Sequence, residues 1–207
     1  EILEWLPVDG KKTISNMASE TSCMGSVITN DMAGQGPFES NWSWNSEHIT
    51  IDDMGPQIAV PGSPDMVENV ENVAGKAVDQ VFIGSCTNGR LDDLRLLSEI
   101  LKGKKIHPDV RMLVIPGSKE IYSQAERAGY IRMIINAGAV VAMPTCGPCA
   151  GGYLGVLPPG EVAVSTTNRN FRGRMGDPTS KVYLSGVSVA ASSAITGVIS
   201  HPEEVND

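Results

Sequence analysis

From about residue 78 onward, the chain alternates between short runs of β-branched residues and stretches with helical periodicity. Runs typical of buried strands cover residues 78–85, 111–115, 139–143 and 162–165. Apolar residues at helical spacing occupy 91–101, 121–128, 130–136 and 186–199. Strands that alternate with helices of this length favour a parallel sheet with helices on both faces. We therefore expect an α/β fold, with a doubly wound sheet in a three-layer α/β/α arrangement.

The first 75 residues show weaker patterns. Thr13 to Glu20 is typical of a helix start, whereas residues 31–64 combine Gly, Pro, Ser and Asn without a period and predict loops. We predict that residues 1–75 are the remainder of a preceding α/β domain with its connecting loops, and that residues 76–207 form a second α/β domain. The chain starts with Glu1 and has no signal-peptide pattern, so we expect a processed or truncated polypeptide.

Composition narrows the classes of function. The 207 residues are 41% hydrophobic, which is typical of a globular protein, and the net charge of −8 gives no general attraction to nucleic acid or anionic membranes. The stretch 186–199 is too short to span a bilayer. Four unevenly spaced cysteines do not suggest a disulfide scaffold. We expect a cytoplasmic protein whose cysteines do metal or redox chemistry, with no nucleic-acid or membrane partner.

Three post-strand loops carry the residues with the strongest chemical signal. They are Cys86 after the first predicted strand, Cys146 and Cys149 after the third, and Asn168, Arg169, Arg172 and Arg174 after the fourth. In open α/β sheets, ligands bind beyond the carboxyl ends of the strands. The pattern therefore predicts three thiols and a cationic cluster at one edge of the sheet, where guanidinium groups could bind a small carboxylate. The alternative for the arginines is a solvated surface loop.

The cysteines allow several interpretations at this point. Three thiols suit an iron-sulfur cluster with one iron left open or held by another ligand. Cys146-Gly-Pro-Cys149 alone also fits a dithiol redox site, and a zinc site would need a fourth ligand. Cys86 could instead be a small buried apolar residue, in a non-enzymatic domain whose arginines dock an acidic partner. Gly and Asn flank Cys86 and favour an exposed turn whose N–H groups can contact a cluster.

Three ordered motifs carry a family resemblance. Val81 to Arg90, Pro144 to Cys149 and Ser165 to Arg174 together resemble the aconitase superfamily. Within it, the chain is most similar to the branch that contains the large subunits of 3-isopropylmalate dehydratases and homoaconitases. The resemblance extends from Thr13 to the C-terminus.

The resemblance implies a set of site residues. It implies a [4Fe–4S] cluster with one iron not ligated by cysteine, which acts as a Lewis acid on the substrate hydroxyl. The implied cluster ligands are Cys86, Cys146 and Cys149; the implied catalytic residues are Asn16, Glu20 and Asn168; and the implied carboxylate-binding residues are Arg169 and Arg174. The roles of Asn16 and Glu20 depend on the resemblance alone.

The resemblance also implies the reaction and a partner. Family members are hydro-lyases that isomerise a small hydroxy di- or tricarboxylate by dehydration and rehydration, as in leucine biosynthesis. A small swivel-domain subunit supplies a serine base and a further arginine in such enzymes, and an earlier segment supplies His and Asp residues. No motif of this chain corresponds to either, so we expect little turnover from this polypeptide alone.

Overall fold

The computed structural model describes residues 6–21, 23, 26 and 54–205. The chain divides into two compact units, Glu1–Gly55 and Pro56–Asp207. The second unit contains the sheet and all three cysteines of the predicted site.

The first unit contains helix α1 (Val8–Met17), followed by a 3₁₀ helix at Ala18–Thr21. The expectation that a helix starts near Thr13 is wrong, because the helix begins five residues earlier. Pro7 precedes it, and its carbonyl accepts a hydrogen bond from the Lys11 N–H (3.0 Å). Asp9 in the first turn complements the helix dipole.

The second unit is built on a seven-stranded sheet. Its strands are β1 (Gln57–Ala59), β2 (Val67–Asn69), β3 (Gln80–Gly84), β4 (Arg111–Ile115), β5 (Val140–Val141), β6 (Val162–Ser165) and β7 (Lys181–Ser185). Their order across the sheet is β2-β1-β7-β6-β3-β4-β5. The five strands from β7 to β5 are mutually parallel, whereas β1 is antiparallel to both β2 and β7.

Helices cover one face of this sheet. The short helix α2 (Ser85–Asn88) directly follows β3. The helices on this face are α3 (Leu91–Ile100), α4 (Lys119–Arg127), α5 (Tyr130–Ala137) and α6 (Val187–Thr196). The 3₁₀ helices of this unit are Val70–Asn72, Gly147–Ala150 and Pro202–Val205. Val81 and Ile83 of β3 share a buried core with Leu94 of α3 and Ile134 of α5. None of the helices in the described part of the chain is long and apolar enough to cross a membrane.

Irregular segments, rather than helices, cover the opposite face. Phe82 and Ile115 pack there in a second core with Cys149, Leu157 and Met175. The parallel sheet flanked by helices is thus confirmed, but residues 54–205 supply no second helical layer. The connections 142–161 and 166–180 that cover this face are rich in Gly and Pro, which interrupt α-helices.

The strand order creates a topological switch point. The chain moves outward from β3 to β4 and β5, and then returns to place β6 on the other side of β3. Ligands in open α/β sheets bind at such a point, beyond the carboxyl ends of the strands. The loops after β3 and β6 are therefore adjacent at the position where this fold class places its sites.

The sequence predictions are confirmed for the central elements. Strands β4 and β6 have the predicted bounds, and β3 lies within its predicted range. Strands β1 and β7 were not predicted. They pair with each other, and the second compact unit begins at Pro56, directly before β1. The predicted domain boundary at residue 75 remains a prediction.

One stability prediction follows from the start of α4. The Ser118 hydroxyl oxygen accepts a hydrogen bond from the Ile121 N–H (3.2 Å), which caps the helix. Ser118→Ala is expected to lower the free energy of unfolding by about 1 kcal/mol. Urea denaturation checks this, with Ser123→Ala inside the same helix as the control. Equal midpoints for the two variants would contradict the capping role.

Candidate metal centre

Cys86 lies in a tight turn directly after β3. Gly84 ends the strand with a φ of 133°, and Ser85 follows with a φ of 66°. A side chain at position 84 would place its Cβ 2.0 Å from the carbonyl oxygen of Ile115. Only glycine accommodates both this φ and this close approach. The Cys86 side chain is exposed at the end of the sheet.

The loop after β4 holds this turn from one side. The Gly117 N–H donates a hydrogen bond to the carbonyl of Gly89 (2.7 Å). Arg90 donates from Nη2 to the carbonyl of Cys86 (3.0 Å). Arg90 was not among the predicted site residues. Its position four residues after Cys86, directly before a helix, is the sequence feature that could have indicated this contact.

Cys146 directly precedes the 3₁₀ helix Gly147–Ala150 beyond β5, and Cys149 lies within it. Cys146 is exposed and Cys149 is buried. Gly151 ends this turn with a φ of 70°. A dithiol redox site uses the N-terminus of an α-helix to lower the pKa of its first cysteine. This four-residue turn provides no such helix, so the geometry does not favour the redox alternative.

The three thiols act on one another electrostatically. Burial raises the pKa of the Cys149 thiol, the Arg174 guanidinium opposes this through a hydrogen bond and its charge, and Cys86 and Cys146 add to the rise. Asn168 Oδ1 lies 4.0 Å from the sulfur of Cys149. The structure thus brings Cys86, Cys146, Cys149, Asn168 and Arg174 into one neighbourhood.

The arginines of the predicted cluster differ in their placement. Gly173 has a φ of 75°, and the next residue, Arg174, reaches Cys149. Arg169 is partly buried in the loop directly after Asn168. Arg172 is exposed and donates from Nε to the carbonyl of Pro178 (3.0 Å), within its own loop. This hydrogen bond of Arg172 therefore stabilises its own loop rather than the region of the thiols.

Buried polar atoms without partners occur on residues next to the cysteines in the chain or in contact with them. In the part of the chain that the structure describes, four buried side-chain atoms have no hydrogen-bond partner, and three of them are Ser85 Oγ, Arg90 Nε and Arg174 Nε. Such orphaned atoms call for an explanation, and a bound ion or group is one. Three thiolates with arginine beside them match an iron-sulfur cluster that binds an anionic substrate. The donor set therefore fits such a cluster.

A single metal ion fits less well. Among the described residues, no group of three or more Cys, His, Asp and Glu side chains is arranged to hold one ion. A cluster attaches its cysteines to different iron atoms. The three cysteines that bind such a cluster therefore need not converge on one metal ion.

Asn16 and Glu20 lie in the first unit. Asn16 is near the end of α1, and Glu20 is in the 3₁₀ helix that follows. The Ser19 hydroxyl lies close to both, 2.9 Å from the Asn16 carbonyl and 3.0 Å from Glu20 Oε1. Their predicted catalytic roles remain predictions.

Comparison with known proteins identifies the family. Residues 57–197 match the family model described as the aconitase family (aconitate hydratase). The chain belongs to the aconitase family. It is 48% identical to the 3-isopropylmalate dehydratase large subunit of Desulfitobacterium hafniense strain Y51, over 97% of this chain and 51% of that protein. The family assignment confirms the resemblance of the three sequence motifs.

Two further relatives match over nearly the same share of this chain and of their own length. The 3-isopropylmalate dehydratase large subunit of Thermoanaerobacter sp. strain X514 is 46% identical over 97% of this chain and 51% of its own. The probable methanogen homoaconitase large subunit of Methanothermobacter thermautotrophicus is 42% identical over 99% of this chain and 51% of its own. This chain therefore spans about half the length of the curated relatives that it matches.

A solved structure aligns weakly. Holo-form aconitase X of Thermococcus kodakaraensis shares 17% identity at a TM-score of 0.36, over 54% of this chain and 27% of that one. The family assignment depends on the sequence matches alone.

Proposed function

We propose that this chain is part of the large subunit of an iron-sulfur hydro-lyase that isomerises a small hydroxy di- or tricarboxylate, with 3-isopropylmalate as the first candidate substrate. The observation that carries this proposal is the meeting of three thiols with Asn168 and Arg174 at the end of the sheet. The names of the relatives support the substrate class.

Cys86, Cys146 and Cys149 would hold a [4Fe–4S] cluster and leave one iron without a cysteine. When bound, that iron would supply a Lewis acid for the substrate hydroxyl. The exposed side chains of Cys86 and Cys146 leave the site open to solvent and substrate, whereas Cys149 is buried against the sheet. The pKa of Cys149 is raised by burial, and the Arg174 charge would favour its thiolate form.

The surrounding residues of this chain bind and orient the substrate. Arg174 presents a guanidinium beside Cys149, and its buried Nε has no protein partner. A guanidinium binds a carboxylate through two parallel hydrogen bonds, which fixes both position and orientation. Arg169 is the second candidate for a carboxylate, and Asn168 would donate a hydrogen bond to the substrate hydroxyl.

The assembly would include further polypeptide. The relatives described above are named large subunits, which supports a small subunit as the partner. Asn16 and Glu20 would orient water near the cluster in the complete enzyme. The net charge of −8 gives no general attraction to nucleic acid or anionic membranes, and we propose a cytoplasmic enzyme without such partners.

A homoaconitase function is the second candidate. The observation that favours it is the 42% identity to the probable methanogen homoaconitase large subunit. The two functions share the dehydration chemistry and differ in the substrate side chain. Assay of the assembled enzyme with 3-isopropylmalate and with homocitrate-type acids separates them, and the preferred substrate is expected to have the higher kcat/KM.

The role of Arg174 can be tested in the full-length large subunit assembled with its small subunit. Arg174→Lys is expected to lower kcat/KM roughly 30-fold to 100-fold, because it removes the two-pronged contact to a carboxylate. Arg172→Lys is the matched control, since Arg172 is exposed and bonded to Pro178. Equal kcat/KM values for the two variants would contradict the proposed role of Arg174.

A further inference from the structure

Thr166 joins the two loops that meet at the topological switch point. It follows β6, and its side chain is fully buried (0% exposed). Its N–H donates to the carbonyl of Phe82 in β3 (3.0 Å). Its hydroxyl oxygen accepts a hydrogen bond from the N–H of Gly84 (3.0 Å), and its carbonyl accepts one from Asn88 Nδ2 (3.1 Å). Thr166 thus bonds to Phe82 before the Cys86 turn, to Gly84 at its start and to Asn88 at its end.

The turn needs such support because its backbone is strained. Within residues 54–205, Ser85 is the one non-glycine residue with a positive φ. Its side chain is buried, and its hydroxyl has no hydrogen-bond partner in the described structure. A residue keeps such a strained conformation when several surrounding contacts hold it there. The bonds of Thr166 to Gly84 and Asn88, on either side of Ser85, provide that constraint.

The same residue leads into the substrate loop. Asn168 is two residues further along the backbone, and its Oδ1 is 4.0 Å from the sulfur of Cys149. The position of Thr166 therefore sets where the Cys86 turn lies relative to Asn168 and Cys149. The backbone bonds of Thr166 persist with any residue at this position. The hydroxyl bond to Gly84 is the contact that depends on residue type.

We infer that Thr166 is a positioning residue, whose buried hydroxyl holds Cys86 in place relative to Asn168 and Cys149. This inference deepens the proposed function and rests on it where it concerns the cluster. Thr166 touches neither substrate nor cluster in this role. Its effect passes through the backbone of the Cys86 turn.

The first test needs no cluster. Hydrogen–deuterium exchange of the Gly84 amide is measured in this chain before iron is added. In Thr166→Val, which keeps the shape and removes the hydroxyl, exchange is expected to be about threefold to tenfold faster than in the wild type. Thr166→Ser keeps the hydroxyl and is expected to restore the wild-type rate within about twofold.

A neighbouring threonine provides the matched control. The Thr167 hydroxyl is paired with the Ser165 hydroxyl at 3.0 Å, and Thr167 is also buried. Thr167→Val is expected to leave exchange at Gly84 unchanged. Should Thr166→Val fail to fold, Thr166→Ala removes the same hydroxyl together with the branched methyl group and is expected to speed exchange at Gly84 as well. Wild-type exchange in folded Thr166→Val, or in Thr166→Ala if that variant replaces it, overturns the inference.

The second test uses the iron-loaded protein. Loss of iron to a chelator is expected to be about tenfold faster in Thr166→Val, with an altered electron paramagnetic resonance spectrum of the reduced cluster, and Thr166→Ser is expected to restore both. If the wild type takes up no iron, the proposed function fails and the exchange experiment still decides the role of Thr166. If the wild type loads iron and Thr166→Val matches it in rate and spectrum, the inference is wrong.

Discussion

Gly84→Ala is expected to lower the free energy of unfolding by at least about 3 kcal/mol. Two costs combine at this position. The φ of 133° is a conformation that residues with a Cβ rarely adopt, and the new Cβ would lie 2.0 Å from the Ile115 carbonyl oxygen. Because that oxygen belongs to the backbone of the neighbouring strand β4, the overlap is relieved only if β3 and β4 separate. Urea denaturation followed by circular dichroism measures the loss.

Gly103→Ala is the matched control for this prediction. Gly103 also has a positive φ, of 74°, but a Cβ there meets no atom within 4 Å. It is expected to cost about 1 kcal/mol, which is the backbone strain alone. If Gly84→Ala were no more destabilising than Gly103→Ala, the close packing of the Cys86 turn on β4 would be wrong.

Cys86→Ser is expected to reduce bound iron and sulfide at least about tenfold without unfolding the chain. A serine oxygen is a poor replacement for a thiolate ligand of iron-sulfur clusters, which accounts for the loss. The Cys86 side chain is exposed, so its replacement removes little packing and the urea midpoint should stay close to the wild-type value. Iron and acid-labile sulfide are assayed after anaerobic reconstitution of both proteins.

Cys23→Ser controls for the general removal of a thiol. Cys23 is also exposed, and it belongs to the first unit rather than to the unit with the sheet. This variant is expected to bind as much iron and sulfide as the wild type. Full cluster content in Cys86→Ser would contradict the assignment of Cys86 as a ligand, as would an equal loss in Cys23→Ser.

Strands with buried β-branched runs were predictable from the sequence. Strands β3, β4 and β6 are short, apolar and bounded by turn residues, and they set the parallel sheet. Strand β7 was missed because Lys181–Ser185 has three consecutive apolar residues between polar ends, which is too short a pattern to distinguish from a loop. Strand β1 is three residues long and depends on pairing with β7, which is distant in sequence.

The site was predictable in outline and not in its supporting contacts. The position of Cys86, Cys146 and Cys149 after parallel strands predicted that the thiols would converge, since the carboxyl ends of such strands share one edge. The approach of Arg174 to Cys149 depends on the path of the segment 166–180, which has no period to reveal it. The hydrogen bonds of Thr166 depend on β6 lying beside β3, which follows from topology rather than from local sequence.

In the proposed function, three cysteines of this chain hold an iron-sulfur cluster. The most direct measurement is the content of iron and acid-labile sulfide per wild-type chain after anaerobic reconstitution, with circular dichroism to establish that the protein is folded. About four of each per chain is the predicted result. Folded protein that binds no iron, and that forms a reversible disulfide between Cys146 and Cys149, would contradict the claim and favour thiol redox chemistry.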